Sequence, residues 1–143
     1  MNREPIYTAL FEKVASLPGI VTSSRRLKHW NDVSPADQPA LFQAQAGENA
    51  MVKTGFPTKW NLDVELYLYC HAGNDSDATP ATDLNNLLDA IEEALKPDHS
   101  GYQNLGGLVF DCRIDGKVET DEGTLGPQSV AIIPIRITVV NEE

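Results

Sequence analysis

Residues 59–71, KWNLDVELYLYCH, constrain this chain more than any other stretch. Trp60, Leu62, Val64, Leu66, Leu68 and Cys70 fall on one side of a two-residue period. Asn61, Asp63, Glu65, Tyr67, Tyr69 and His71 fall on the other. Successive side chains of a strand point to opposite faces, so this stretch predicts a long strand with one dry face and one wet face. A wet face argues against a parallel sheet buried on both sides and for an antiparallel or mixed one.

The dry face needs a cover, and two amphipathic segments supply it. Residues 3–17 place Ile6, Leu10, Val14 and Leu17 on one helical stripe, widened by Tyr7 and Phe11. Asn2 is the expected cap, Pro5 lies in the first turn, and Pro18 with Gly19 ends the helix. A second helix is expected after Thr79 as cap and Pro80 at its first position. Leu84, Leu87, Leu88, Ile91 and Leu95 form its apolar side, and Pro97 ends it.

Four further strands are expected. Residues 20–30 begin with β-branched side chains and end in a basic cluster, and residues 31–39 form a polar loop. Residues 40–46 put Phe42, Ala44 and Ala46 on one face, with a connecting loop over 47–58. Residues 108–114 put Leu108, Phe110, Cys112 and Ile114 on one face, before a bend or bulge at Asp115 and Gly116. Residues 123–127 read as a turn, and 128–140 as a last strand with Ala131, Ile133, Ile135, Ile137 and Val139 inward. Pro134 withholds one ladder donor, which predicts an edge strand or a bulge there. The order is α-β-β-β-α-β-β. The expected class is α+β: a two-layer sandwich whose mixed or antiparallel sheet of about five strands is covered on one face by two helices. At 143 residues the chain reads as a single domain over 1–143.

Composition limits the function classes. Apolar residues make up 41% and glycine adds 10 positions, which suits a globular and not a disordered chain. No run approaches the ~18 apolar residues of a membrane span. The start, MNREPIYTALFEKV, lacks the basic, apolar and cleavage segments of a signal peptide. The net charge is −10, a poor prior for gripping nucleic acid. That charge is unevenly spread: residues 1–59 sum to +2 and residues 60–143 to −12. Such asymmetry is either solvated decoration or a basic end that meets the acidic end of another copy.

Candidate chemistry is sparse. Cys70 and Cys112 lie in apolar alternations and read as buried thiols. No CxxC or HExxH occurs. Asp98, Asp115 and Lys117 match the minimal pattern of a magnesium-dependent nuclease, but at a helix end and a bend, where solvated turns are the ordinary reading. Asn74, Asp75, Ser76 and Asp77 resemble the start of a calcium loop but lack its later glycine and glutamate. His29, His71 and His99 are isolated, and His71 faces away from Cys70. No catalytic set, cofactor site or metal site emerges. The one basic–aromatic cluster is Arg25, Arg26, Lys28, His29 and Trp30. It suits phosphate contact and base stacking, pairing with acids such as Asp121 and Glu122 on a partner, or a plain solvated strand end.

Taken along the whole chain, the segments RRLKHW, SPADQPALF, WNLDVELYLYCHAG, TPATDLNNLLDAIEEAL, LGGLVFDCRIDGKVETDEGTLG and SVAIIPIRITV together resemble phage tail-completion proteins. More narrowly, they are similar to the tail terminator, or head–tail joining, proteins of long flexible-tailed phages and prophages. The resemblance lies in element order and phrase-like segments and spans nearly the entire chain.

That resemblance implies a structural virion protein with no catalytic residue and no cofactor. It implies a homo-oligomeric ring, commonly a hexamer, on the end of the tail tube. The ring would stop tube polymerisation, offer a surface to the head connector or completion protein, and let DNA pass without holding it. It would sit at the tail end or neck of the virion, after assembly in the host cytoplasm, with no membrane involved. Its working parts would be three loops: 47–58 with Lys53 and Phe56, 98–107 with Tyr102, and 116–127 with Lys117 and Glu119. Arg25, Arg26, Lys28 and Trp30 would meet Asp121 and Glu122 between subunits. Another neck component, or the small nuclease, are the competing readings.

Overall fold

The alternation over 59–71 becomes the spine of the molecule. In the computed structural model, which describes residues 1–141, it forms strand β3, Thr58–His71. In chain order the elements are α1 (Arg3–Ala15), β1 (Thr22–Ser24), β2 (Ala40–Met51), β3, α2 (Thr82–Ala94), β4 (Asp111–Ile114), β5 (Glu119–Gly123) and β6 (Gly126–Asn141). The six-stranded sheet runs β1-β2-β3-β6-β4, with β5 also on β6. β1 pairs parallel to β2 and every other pairing is antiparallel, so the sheet is mixed. Both helices lie on one face, which makes the expected two-layer α+β sandwich, with β5 as an added strand.

The main core lies between that face and the helices. Leu62, Val64, Leu66 and Leu68 of β3 and Ala131, Ile133, Ile135 and Ile137 of β6 are buried there, as the period-two pattern requires. Ile6, Leu10 and Val14 of α1 and Leu84, Leu87 and Ile91 of α2 close it. Both cysteines are buried free thiols, pushed up to about 12 by that burial.

Several boundaries differ from expectation, each for a local reason. The strand expected over 20–30 is three residues long. Ser24 Oγ accepts from the Arg26 amide at 2.9 Å, which turns the chain out of the ladder. Residues Trp30–Asp32 and Pro35–Asp37 are 3₁₀ turns, started by His29 Nδ1 and Ser34 Oγ as acceptors. Half of the loop expected over 47–58 is strand: β2 continues to Met51 through a bulge between Gln45 and Gly47, where Gly47 holds φ +120°. The remaining connection, residues 52–57, is the tip of a long β2–β3 hairpin.

Helix α2 starts at Thr82, with Ala81 and not Thr79 at the cap position. The Thr82 amide donates to Thr79 O at 3.3 Å, and Ser129 Oγ donates to Pro80 O at 3.0 Å, so residues 79–82 are a turn anchored to β6. Asn2 occupies the α1 cap position without a side-chain bond. Leu108 and Phe110, expected on a strand face with Cys112 and Ile114, precede β4, which starts at Asp111, and are each 46% exposed. A turn in which the Gly107 and Val109 amides both donate to Asn104 O rolls Val109 inward instead.

Pro134 lies neither at an edge nor in a bulge. β6 is internal, with β5 paired to residues up to Ile132 and β4 paired from Ile135 on. Pro134 occupies the gap between them, where no ladder donor is needed, and its carbonyl accepts from the Asp115 amide at 3.1 Å.

Candidate functional site

The helix-free face was expected to be wet throughout, and half of it is not. Phe42 faces away from the helices and is fully buried, in a second cluster with Val33, Ala40 and Tyr69. Trp30, Tyr67 and Val130 pack around it, and the Phe42 and Tyr69 rings stand 5.5 Å apart. The reason is the segment between β1 and β2. Having left the ladder at Ser24, it crosses this face and is tied down there. Tyr69 Oη donates to Lys28 O at 2.6 Å. Gln38 Nε2 donates to Val33 O at 3.1 Å and to Gln128 Oε1 at 2.9 Å.

Between this segment and β5 lies an open groove of about 760 Å³. One wall is Trp30, its ring 5.0 Å from that of His29. The floor is Tyr67 and Tyr69 of β3 with their β6 partners Ile132 and Val130. The opposite wall is residues 117–121. Tyr67 Oη donates to Glu65 Oε2 at 2.6 Å; that bond to a carboxylate, with partial burial, pushes the phenol up to about 12. Burial raises Tyr69 as well. Both phenols are therefore neutral donors near neutral pH. The floor is apolar rings, and the charge is carried by Lys117, Glu119 and Asp121 on the far wall.

The groove brings together four expected site residues: Trp30, Lys117, Glu119 and Asp121. Trp30 and Asp121, expected to meet across two copies, line one groove of a single copy. Arg25 lies elsewhere and is engaged within its own chain. It pairs with Glu4 of α1, donates to Gln45 Oε1 at 3.3 Å and stacks 6.0 Å from the Tyr7 ring. Arg26, Lys28 and Glu122 are exposed. Lys53 and Phe56 sit on the hairpin tip, with Lys53 Nζ 4.7 Å from the Phe56 ring centroid. Tyr102 stacks on Phe110 at 4.6 Å, apart from the groove.

The nuclease set is not arranged for a metal. Asp115 is paired with Arg136 at 3.1 Å, and Asp98 accepts from the Ser100 side chain and amide, which hold it below the usual carboxylate range. Among the described residues no three His, Cys, Asp or Glu side chains converge as a metal ion would require. No helix among them is long and apolar enough to cross a membrane.

Sequence reasoning missed the groove because its walls come from residues about ninety positions apart. A signal was present. Val130 and Ile132 are apolar on the side of β6 that faces away from the helices, and they pair with the two tyrosines on the wet side of β3. Four apolar or aromatic side chains meeting on a nominally wet face mark a covered or contacted patch.

No protein-family model matches the chain, and no curated protein matches it. A solved structure described as the virion of the native gene transfer agent (GTA) particle contains a similar chain. The likeness covers 95% of this chain and 95% of that one, with a TM-score of 0.55 and 11% sequence identity. At that identity, what is shared is the fold.

Proposed function

We propose that this chain, as a single domain over residues 1–143, is a non-enzymatic structural part of a phage-like virion that caps the end of the tail tube as a ring. The observation that carries the virion reading is the likeness of fold, along 95% of both chains, to a chain of the gene transfer agent particle. The tail-end role rests on the segments that resemble tail terminators. As a ring, commonly a hexamer in that family, it stops tube polymerisation and offers a surface to the head connector or completion protein. It works at the tail end or neck of the virion after assembly in the host cytoplasm. A net charge of −10 suits a conduit that lets DNA pass without holding it.

A closed ring needs two different patches on each subunit. The groove face, with Trp30 and Asp121 on its walls and Arg26, Lys28 and Glu122 exposed, is one such patch. The hairpin tip with Lys53 and Phe56, the loop with Tyr102, and Lys117 with Glu119 at the start of β5, a strand where a loop over 116–127 was expected, are the surfaces offered to neighbours, tube and head.

The test is assembly of tail tubes with and without the protein, viewed by electron microscopy. Rings on tube ends and arrested growth are expected. Tubes of unchanged length with bare ends reject the terminator role, and binding to filled heads but not to tubes assigns the chain to another neck component.

A further inference from the structure

Two surfaces at opposite ends of β3 have complementary chemistry. At its start, the hairpin tip exposes Val52 at 79% and Phe56 at 63%. With Met51, 36% exposed beside them, they make the tip a cluster of exposed apolar side chains of the kind that marks an interaction site. The tip is not loose: the Phe56 amide donates to Lys53 O at 3.0 Å. Residues 51–59 carry Lys53 and Lys59 and no acid.

Near the other end of β3 lies the groove, with Trp30, Tyr67, Tyr69 and Val130 as its apolar surface. Its charged wall carries two acids, Glu119 and Asp121, against one base, Lys117. An apolar, basic tip and an aromatic groove are matched in polarity, and in sign at the Glu119 and Asp121 of its β5 wall. Thr58 and Tyr69 lie eleven residues apart on one extended strand, about 36 Å at ~3.3 Å per residue. A chain therefore cannot seat its own tip in its own groove.

We propose that the 52–57 tip of one copy seats in the helix-free groove of the next, with Phe56 against Trp30 and Tyr67, and Lys53 against Glu119 and Asp121. The contact joins two different patches, so each copy keeps one tip and one groove for its neighbours, and repetition gives a closed ring or a filament. Lys53 takes the role of cation facing Asp121 because Arg25 is occupied by Glu4 and Gln45 within its own chain. This inference rests on the self-assembling reading above and specifies its interface.

The experiment measures native mass by light scattering across a concentration series for wild type, Phe56→Ala, Lys53→Glu, Asp121→Lys and the Lys53→Glu/Asp121→Lys double variant. Urea unfolding confirms that each is folded. Phe56→Ala is expected to weaken association by about 30-fold, as for an interface anchor. Each charge reversal weakens association, and the double variant regains most of it. As a second measurement, Phe56→Cys combined with Glu119→Cys, which lies opposite Ile132 on the groove face, gives a covalent ladder on oxidation, the native thiols being buried. Wild type that assembles while every variant assembles equally well, with no ladder, overturns this docking and leaves the ring intact. Variants that assemble normally but no longer bind tail tubes also overturn it, and assign the tip to the tube. Wild type that stays monomeric with and without tubes overturns both readings.

Discussion

Gln38 and Gln128 face each other amide to amide. Gln38 Nε2 donates to Gln128 Oε1 at 2.9 Å, and Gln128 Nε2 donates back to Gln38 Oε1 at 2.8 Å. Both side chains are buried, and Gln128 also donates to Cys70 O at 3.2 Å. This pair fastens the segment between β1 and β2 to the start of β6, and so holds Trp30 in place as a wall of the groove.

Breaking one half of that pair strands a buried amide. Gln38→Met is expected to cost about 1–3 kcal/mol in urea unfolding, since an orphaned buried polar group loses its compensation. The Gln38→Met/Gln128→Met double variant is expected to cost less than the sum of the singles. Additive losses would show that the two amides do not act as a unit.

Glu48 gives the molecule an acid-sensitive link between α1 and β2. Burial raises its carboxyl, but bonds from Arg3 at 2.7 Å and Tyr7 Oη at 2.8 Å outweigh that and hold it below the usual carboxylate value. A lowered folded pKa means stability that is present above the unfolded value and lost as pH falls through the folded one. Melting temperature followed from neutral to acid pH is expected to drop less steeply in Glu48→Gln than in wild type. Parallel curves would remove Glu48 from the acid response.

Tyr67 works in the opposite direction. Its phenol is raised from 10.0 to about 12 by Glu65 and burial. A raised folded pKa means stability fully present below pH 10 and lost as pH climbs toward 12. Tyr7 and Tyr69 are raised too, so the difference between wild type and Glu65→Gln is what reports Tyr67: part of the alkaline phenolate absorbance should move down in the variant. Unmoved absorbance would assign the shift to burial alone.

Arg25 and Arg26 are neighbours with different work. Reversing Arg25 removes its intrachain partners on α1 and β2, so Arg25→Glu is expected to lower stability. Arg26→Glu is expected to leave unfolding unchanged, since Arg26 is exposed. Equal losses of stability in the two variants would erase the distinction.

The central strand has little tolerance for loss of volume. Leu66 is fully buried among residues of both helices and β6. Leu66→Ala is expected to cost about 2–5 kcal/mol by denaturant unfolding. A loss under 1 kcal/mol would mean that the helices collapse onto the gap.

The sequence made some of this architecture readable. β3 and the inward side of β6 follow from a two-residue period, because one buried face must be apolar throughout. Residues 20–30 misled because Ser24 and His29 offer the backbone local acceptors that compete with the ladder, and no period records such competition. Residues 40–46 left the facing open, because Leu41 beside Phe42 is equally apolar and the pattern names two buried faces without saying which meets the helices. The outer half of β2 was hidden for another reason: residues 45–51 are exposed, so nothing apolar repeats there. The groove left only its floor in the local pattern, as Val130 and Ile132, since Trp30 and residues 117–121 come to line one groove only through the pairing of distant strands.

Pro134 has one more consequence. The outer side of β6 serves two tenants, β5 and β4, and the proline between them breaks the row of hydrogen bonds like a perforation in a sheet of paper. Tearing that begins at β5 has no continuous ladder along which to reach β4. The β5 ladder, which carries one wall of the groove, can therefore fray while the β4 ladder stays closed.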